Sequence, residues 1–271
     1  MKKPFVNNKG KGIFSRQDWI NESLSLYISA KILRKQSIIN SGTSLKVECA
    51  DINAYHPSIL ITASNKSSRL LIGYSLELLL KSAVLLMNYG AKKQTIEGKF
   101  RKYGHDLILM AQDLELPISK RDSTLLSYCS EDIRSYARYP VSVYEDDHYN
   151  NEFKKRHSNL ADDDLFSEIV HLYDRLKSII VNLDNSVEDC AEYTELIFKD
   201  LTLFMRVGGG IKARAIVSYI GNYPTEKRTK AHLKVILNNF PNGLARLYTT
   251  YWDEYDFFED NGKVLLPLRD K

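Results

Sequence analysis

From Pro57 to Gly90 the chain reads PSILITASNKSSRLLIGYSLELLLKSAVLLMNYG, and no other stretch limits the fold so much. Ile72, Leu76, Leu79, Leu80, Ala83 and Met87 recur at spacings of three and four, the mark of one helix face. Leu71, Leu78 and Leu85 add a second apolar seam, leaving only Tyr74, Glu77, Lys81 and Asn88 on a narrow polar strip. A helix apolar round most of its circumference has to be covered on several sides. Pro57 suits a first helical turn, and Gly90 suits the left-handed residue after a last one. The 18 or so residues from Leu70 to Met87 approach the length of a membrane span. Glu77 and Lys81 sit in the middle of it, each costing about 2.5–3.5 kcal/mol in a bilayer centre. The expectation is therefore a central core helix and no membrane partner.

The remaining periodicity is read as helical too. Trp19, Ile20, Leu24, Tyr27, Ile28 and Ile32 mark a helix within 16–39, and Leu125, Leu126, Cys129, Ile133 and Tyr136 mark one over 119–137. A short helix is expected over 105–115, and another over 162–183 carries Leu165, Ile169, Leu172 and Leu176 inward. Residues 40–56 read as a connection with a short strand at Leu45–Cys49, while 91–103 and 141–159 have no period and read as exposed loops. In the last third, helices are expected near 187–206, 211–221, 225–239 and 241–258, joined by short Gly- and Pro-containing loops. The fold class expected is all-α: a flexible arm over 1–15, a helical domain over 16–184 and a helical extension over 185–271.

Composition sets bounds on chemistry. Of 271 residues, 38 are Lys or Arg and 34 Asp or Glu, so the net charge of +4 tolerates a phosphate-bearing partner without requiring one. The three cysteines, Cys49, Cys129 and Cys190, lie far apart with no metal-ligand spacing, which points to a reducing compartment and to no structural zinc. Met1-Lys2-Lys3 is followed by no apolar run, and the localisation expected is cytoplasmic. No cofactor or metal is expected. Glu145-Asp146-Asp147-His148 mixes donors that suit divalent cations, but adjacent loop acids are ordinarily just solvated. Gly208-Gly209-Gly210 has the look of a phosphate loop but lacks the Lys-Ser/Thr ending of one, and reads as a hinge.

Three segments in order, GYSLELLLKSAVLL from Gly73, GHDL from Gly104 and IRSYARYP from Ile133, resemble the bacterial branch of the HEPN superfamily over about 16–183. The resemblance implies a helical bundle, a homodimer, and a role in bacterial stress or phage defence. Many such domains are metal-independent RNases whose motif is Arg, a polar residue, four to six further residues and His. This chain departs from that spacing: Arg138 to His148 is too long a gap, and Arg101 to His105 and Arg228 to His232 are too short. The function expected is therefore binding of RNA or nucleotide phosphate without standard catalysis. Arg134 and Arg138, spaced i,i+4, would supply forked phosphate contacts, with Tyr139, His105, Arg101 and Lys102 beside them. Two alternatives stand: a metal-independent RNase with Arg138 and His148 as a displaced pair, and a protein-interaction module or antitoxin that binds a partner protein. Last-turn arginines also satisfy helix carbonyls, and His105-Asp106 also suits a helix start.

Overall fold

The structure is a computed structural model that describes residues 5–42, 57–136, 146–185, 187–239, 249–250 and 252–270. It is mixed rather than all-α, because the last third carries a five-stranded sheet. In order come α1 (Arg16–Gly42), α2 (Pro57–Met87), α3 (Lys93–Tyr103), α4 (Leu107–Asp113) and α5 (Lys120–Glu131). A π-helical turn over Asp132–Tyr136 follows, then α6 (Asp146–Ala161) and α7 (Asp163–Asn182). The sheet region comprises β1 (Glu192–Ile197), β2 (Leu201–Val207), β3 (Arg214–Tyr219), α8 (Lys230–Asn238), β4 (Asp256–Asp260) and β5 (Leu265–Pro267). Two compact units result: a helical unit of Gln17–Lys81 and His105–Ile180, and a sheet unit of Met1–Arg16, Ser82–Gly104 and Val181–Lys271.

In the helical unit, the buried residues of α1 are Ile20, Ser23, Tyr27, Ala30, Arg34 and Ser37, alternating steps of three and four. They meet a core built from Ile72, Leu76 and Leu79 of α2, Leu125 and Leu126 of α5, and Ile169, Leu172, Tyr173 and Leu176 of α7. Two polar members of that stripe, Ser23 and Tyr27, are tied to α2 and α7. Ser23 Oγ donates to the Ser75 carbonyl at 2.7 Å and lies 2.9 Å from the Tyr173 hydroxyl, while Tyr27 stacks on Tyr173 with centroids 4.1 Å apart. α5 begins with a capping box in which Ser119 and Asp122 satisfy each other's backbone N–H groups. By length and composition α2 could cross a membrane, but 72 % of its most apolar window is buried in the protein. Its apolarity is thus accounted for by packing.

In the sheet unit the strand order is β1-β2-β3-β4-β5, antiparallel except for the parallel pair β3–β4, which α8 connects. One face carries Leu201, Leu203, Met205, Ala215, Val217 and Phe257 against Leu233 and Leu237 of α8 and against Trp252. The other carries Phe204, whose ring lies 5.0 Å from Phe5 and 5.9 Å from Tyr89, and Arg214, which donates to Asn88 Oδ1 at 2.7 Å. Asp260 on β4 accepts from the Lys92 backbone N–H at 2.6 Å and from Thr95 Oγ1 at 2.7 Å, fixing the start of α3. Val6, in the segment expected to be a flexible arm, is buried and exchanges backbone hydrogen bonds of 2.8 Å with Gly90 and Ala91.

The corrections have physical causes. β2 is buried on both faces, so LTLFMRV is a nearly unbroken apolar run whose period of two is hidden. Runs like that do not separate strand from helix by pattern alone, and the helices expected at 187–206 and 211–221 are β1, β2 and β3. Residues 256–258, the end of the helix expected over 241–258, belong instead to β4. The loops expected at 91–103 and 141–159 contain α3 and most of α6. Both helices are highly charged, and α3 buries only Thr95, Ile96 and Tyr103, too few to print a period. The strand expected at Leu45–Cys49 lies outside the described residues.

Candidate functional site

The polar strip of α2 is where chemistry concentrates in the helical unit. Glu77 is buried, and its carboxylate is shared: Oε1 accepts from Lys81 Nζ at 2.5 Å, and Oε2 lies 2.8 Å from His105 Nδ1. Lys81 Nζ also sits 5.6 Å from the centre of the Trp19 ring, and His105 meets the Tyr74 ring edge-on at 6.0 Å. His105 is thereby held at one nitrogen and on one flank, with its side chain 32 % exposed. A carboxylate on Nδ1 fixes an imidazole's orientation and leaves Nε2 as the ring nitrogen that can meet a ligand.

The next residue, Asp106, does two jobs. Its Oδ1 caps α4 by accepting the Leu109 N–H at 3.0 Å, and its Oδ2 lies 3.5 Å from Arg134 Nη2. Arg134 comes from the π-helical turn, a geometry that widens the backbone and recurs at functional positions. The arginine stays about half exposed, so its guanidinium keeps donors for a ligand. His105 and Arg134, 29 residues apart in the chain numbering, therefore share one edge of the helical unit.

The other expected site residues are distributed differently. Arg101 and Lys102 are exposed in the last turn of α3, in the sheet unit. The basic segment before them is partly engaged: Lys92 Nζ donates to the Asp260 carbonyl at 3.2 Å, Lys93 lies over Phe14 and Lys99 over Tyr103. Arg138 and Tyr139 lie outside the described residues, and His148 falls in α6 with its side chain outside them. The glycine loop is not an anion site. The Gly210 N–H donates to Asp189 Oδ2 at 2.7 Å, and Asp184 at the same loop pairs with Arg206 and accepts from the Tyr193 hydroxyl. Carboxylates already occupy the place a phosphate would take. Among the described residues no group of three or more His, Cys, Asp or Glu is arranged to hold a metal ion.

Two features of the site do not follow from sequence reasoning. Spacing reads Glu77 and Lys81 as an ion pair, surface or partly buried, or else as a buried polar site, but nothing in it brings His105 to the same carboxylate. Arg69, also within α2, carries no local signal: it is 1 % exposed and paired with Asp132, the first residue of the π-helical turn, at 2.7 Å. No protein-family model, no curated protein and no solved structure matches the chain.

Proposed function

We propose that the helical unit binds RNA through its phosphates, with His105 and Arg134 as the ligand-facing groups. The observation that carries this reading is the pair of anchored cation-capable side chains. Glu77 holds the imidazole at 2.8 Å, and Asp106 lies 3.5 Å from the guanidinium and biases it towards the same edge. A planar guanidinium suits two phosphate oxygens at once, and the net charge of +4 leaves a favourable long-range field. The resemblance of GYSLELLL, GHDL and IRSYARYP to HEPN domains supports the same ligand class.

A second reading has its own observation. An imidazole whose Nδ1 is hydrogen bonded to a buried carboxylate has the arrangement of a general base, and Arg134 beside it would stabilise charge on a phosphate under attack. In that case the displaced Arg/His pair of a metal-independent RNase is Arg134 with His105. One experiment separates the readings: labelled RNAs are incubated with the protein in EDTA and run on native and denaturing gels beside Arg134→Ala and His105→Ala. A mobility shift with intact RNA, weakened in both variants, supports binding alone. Cleavage abolished in both makes the protein an RNase. Neither shift nor cleavage sinks both readings and favours a protein partner.

A further inference from the structure

Arg69 forms part of the wall of a cavity of about 350 Å³ in the helical unit, lined among the described residues also by Tyr128, Glu131, Asp132, Lys155, Asn159 and Leu160. A guanidinium carries five N–H donors. Arg69 Nε donates to Asp132 Oδ2 at 2.9 Å, Nη2 lies 2.7 Å from the same oxygen, and Nη1 donates to the Asn159 carbonyl at 3.1 Å. By this count one N–H on each Nη remains for another acceptor.

Buried charge beside this cavity is also out of balance. Arg34, 3 % exposed, donates from Nη1 to the carbonyl of Leu160, a residue of the cavity wall, and to Asn65, while its Nη2 is buried with no hydrogen-bond partner. Its carboxylate partner, Asp163, is 57 % exposed, so water shares that charge. Of the carboxylates paired with these two buried guanidiniums, Asp132 of Arg69 is buried and Asp163 of Arg34 is not. Burial lowers the Arg34 pKa, Asp163 opposes the shift, and repulsion from Arg69 adds to it. An anion nearby would relieve that imbalance, since uncompensated buried charge is costly.

We propose that this cavity binds a small molecule through an oxyanion group, a phosphate or a carboxylate, held by the spare N–H groups of Arg69 and the ammonium of Lys155. The volume is at the small end of ligand sites, which fits a small molecule rather than a nucleic-acid strand. Glu131 on the same wall disfavours a second negative group, and Asn159 and Tyr128 offer hydrogen bonds to hydroxyl or amino groups beside the anion. The site uses none of the side chains assigned to RNA.

Thermal unfolding of the full chain tests it, with inorganic phosphate and acetate each titrated against chloride at matched ionic strength. The expected result is a saturable rise in Tm with at least one of the two, kept in Arg134→Ala and Lys155→Arg and abolished in Lys155→Glu. Which salt acts tells phosphate from carboxylate. Lys155 is exposed, so its variants keep the fold, which their melting without added oxyanion verifies. No saturable rise with either salt, or an equal rise in Lys155→Glu, overturns the proposal. A rise abolished in Arg134→Ala but kept in Lys155→Glu also overturns it, while leaving the RNA reading standing.

Discussion

Glu77 and His105 are 28 residues apart in sequence and 2.8 Å apart from Oε2 to Nδ1, with Glu77 nearly sealed from solvent. That contact joins the centre of α2 to the entry of α4, and Lys81 completes it from the next turn of α2. Removing the carboxylate takes the ion-pair partner from a largely buried ammonium. Glu77→Ala is expected to destabilise the protein by about 3–5 kcal/mol, the usual cost of breaking a buried pair. Glu77→Gln, which keeps the shape and an acceptor, costs less. Urea unfolding of both variants checks the order.

Asp122 links the start of α5 to α7. Burial alone would raise its pKa, but the Arg175 guanidinium at 2.5 Å and the backbone N–H and hydroxyl contacts with Ser119 overcome that and lower it. A carboxylate with a depressed folded pKa adds stability that is complete above its unfolded value near 3.8 and is lost as pH falls through the folded one. Asp122→Asn should therefore cost about 1–2 kcal/mol at pH 7, in the range of a missing cap. The gap to the unmutated protein should be smaller at about pH 3 than at pH 7, because the carboxylate's contribution fades as pH falls below 3.8. A gap of equal size at both pH values would contradict the sign.

Cys129 is fully buried in the helical core, and burial pushes its thiol up to about 12, whereas Cys190 is exposed. The thiolate is the reactive form. In a Cys49→Ser background, a disulfide reagent at pH 8 should modify Cys190 quickly and Cys129 only after denaturant is added. Equal rates in the native protein would place Cys129 outside the core.

Gly90 closes the turn after α2 with φ of +85°, and a Cβ there would stand 2.1 Å from Cβ and Cγ of Phe204. Gly104 also has a positive φ, +55°, but open space around it. Gly104→Ala should cost about 1–3 kcal/mol for the backbone alone, since its ψ of −118° lies outside the left-handed helical region as well. Gly90→Ala should cost distinctly more, because overpacking adds about 1–3 kcal/mol. Denaturant midpoints of the two variants separate strain from collision.

The elements legible in the sequence are those whose apolar residues recur at helical spacing, in one buried stripe for α5 and α7 and round most of the circumference for α2. α2, α5 and α7 show their period because their cores are broad stripes of leucine and isoleucine, and Pro57 and Gly90 mark the ends of α2. β2 is not legible, because Leu203 and Phe204 point to opposite faces and both faces are covered. α6 is not legible because polar residues dominate it. At the candidate site, His105 and Arg134 stand out as residue types, but their anchors do not. Pairing His105 with Glu77, or Arg69 with Asp132, depends on how helices far apart in sequence come together, which no local spacing records.

If Arg134 and His105 meet RNA phosphates, the salt dependence of binding carries their signature. Removing one phosphate-binding cation should flatten the slope of log K against log salt by roughly 0.7 for a single strand. Filter binding of a labelled single-stranded RNA across a salt series would be run with the unmutated protein, Arg134→Ala and His105→Ala. Weaker binding with a slope shallower by about one phosphate is expected in Arg134→Ala, and weaker binding in His105→Ala. Affinity and slope unchanged in both variants, or RNA binding that ignores salt, would contradict phosphate contact by these residues.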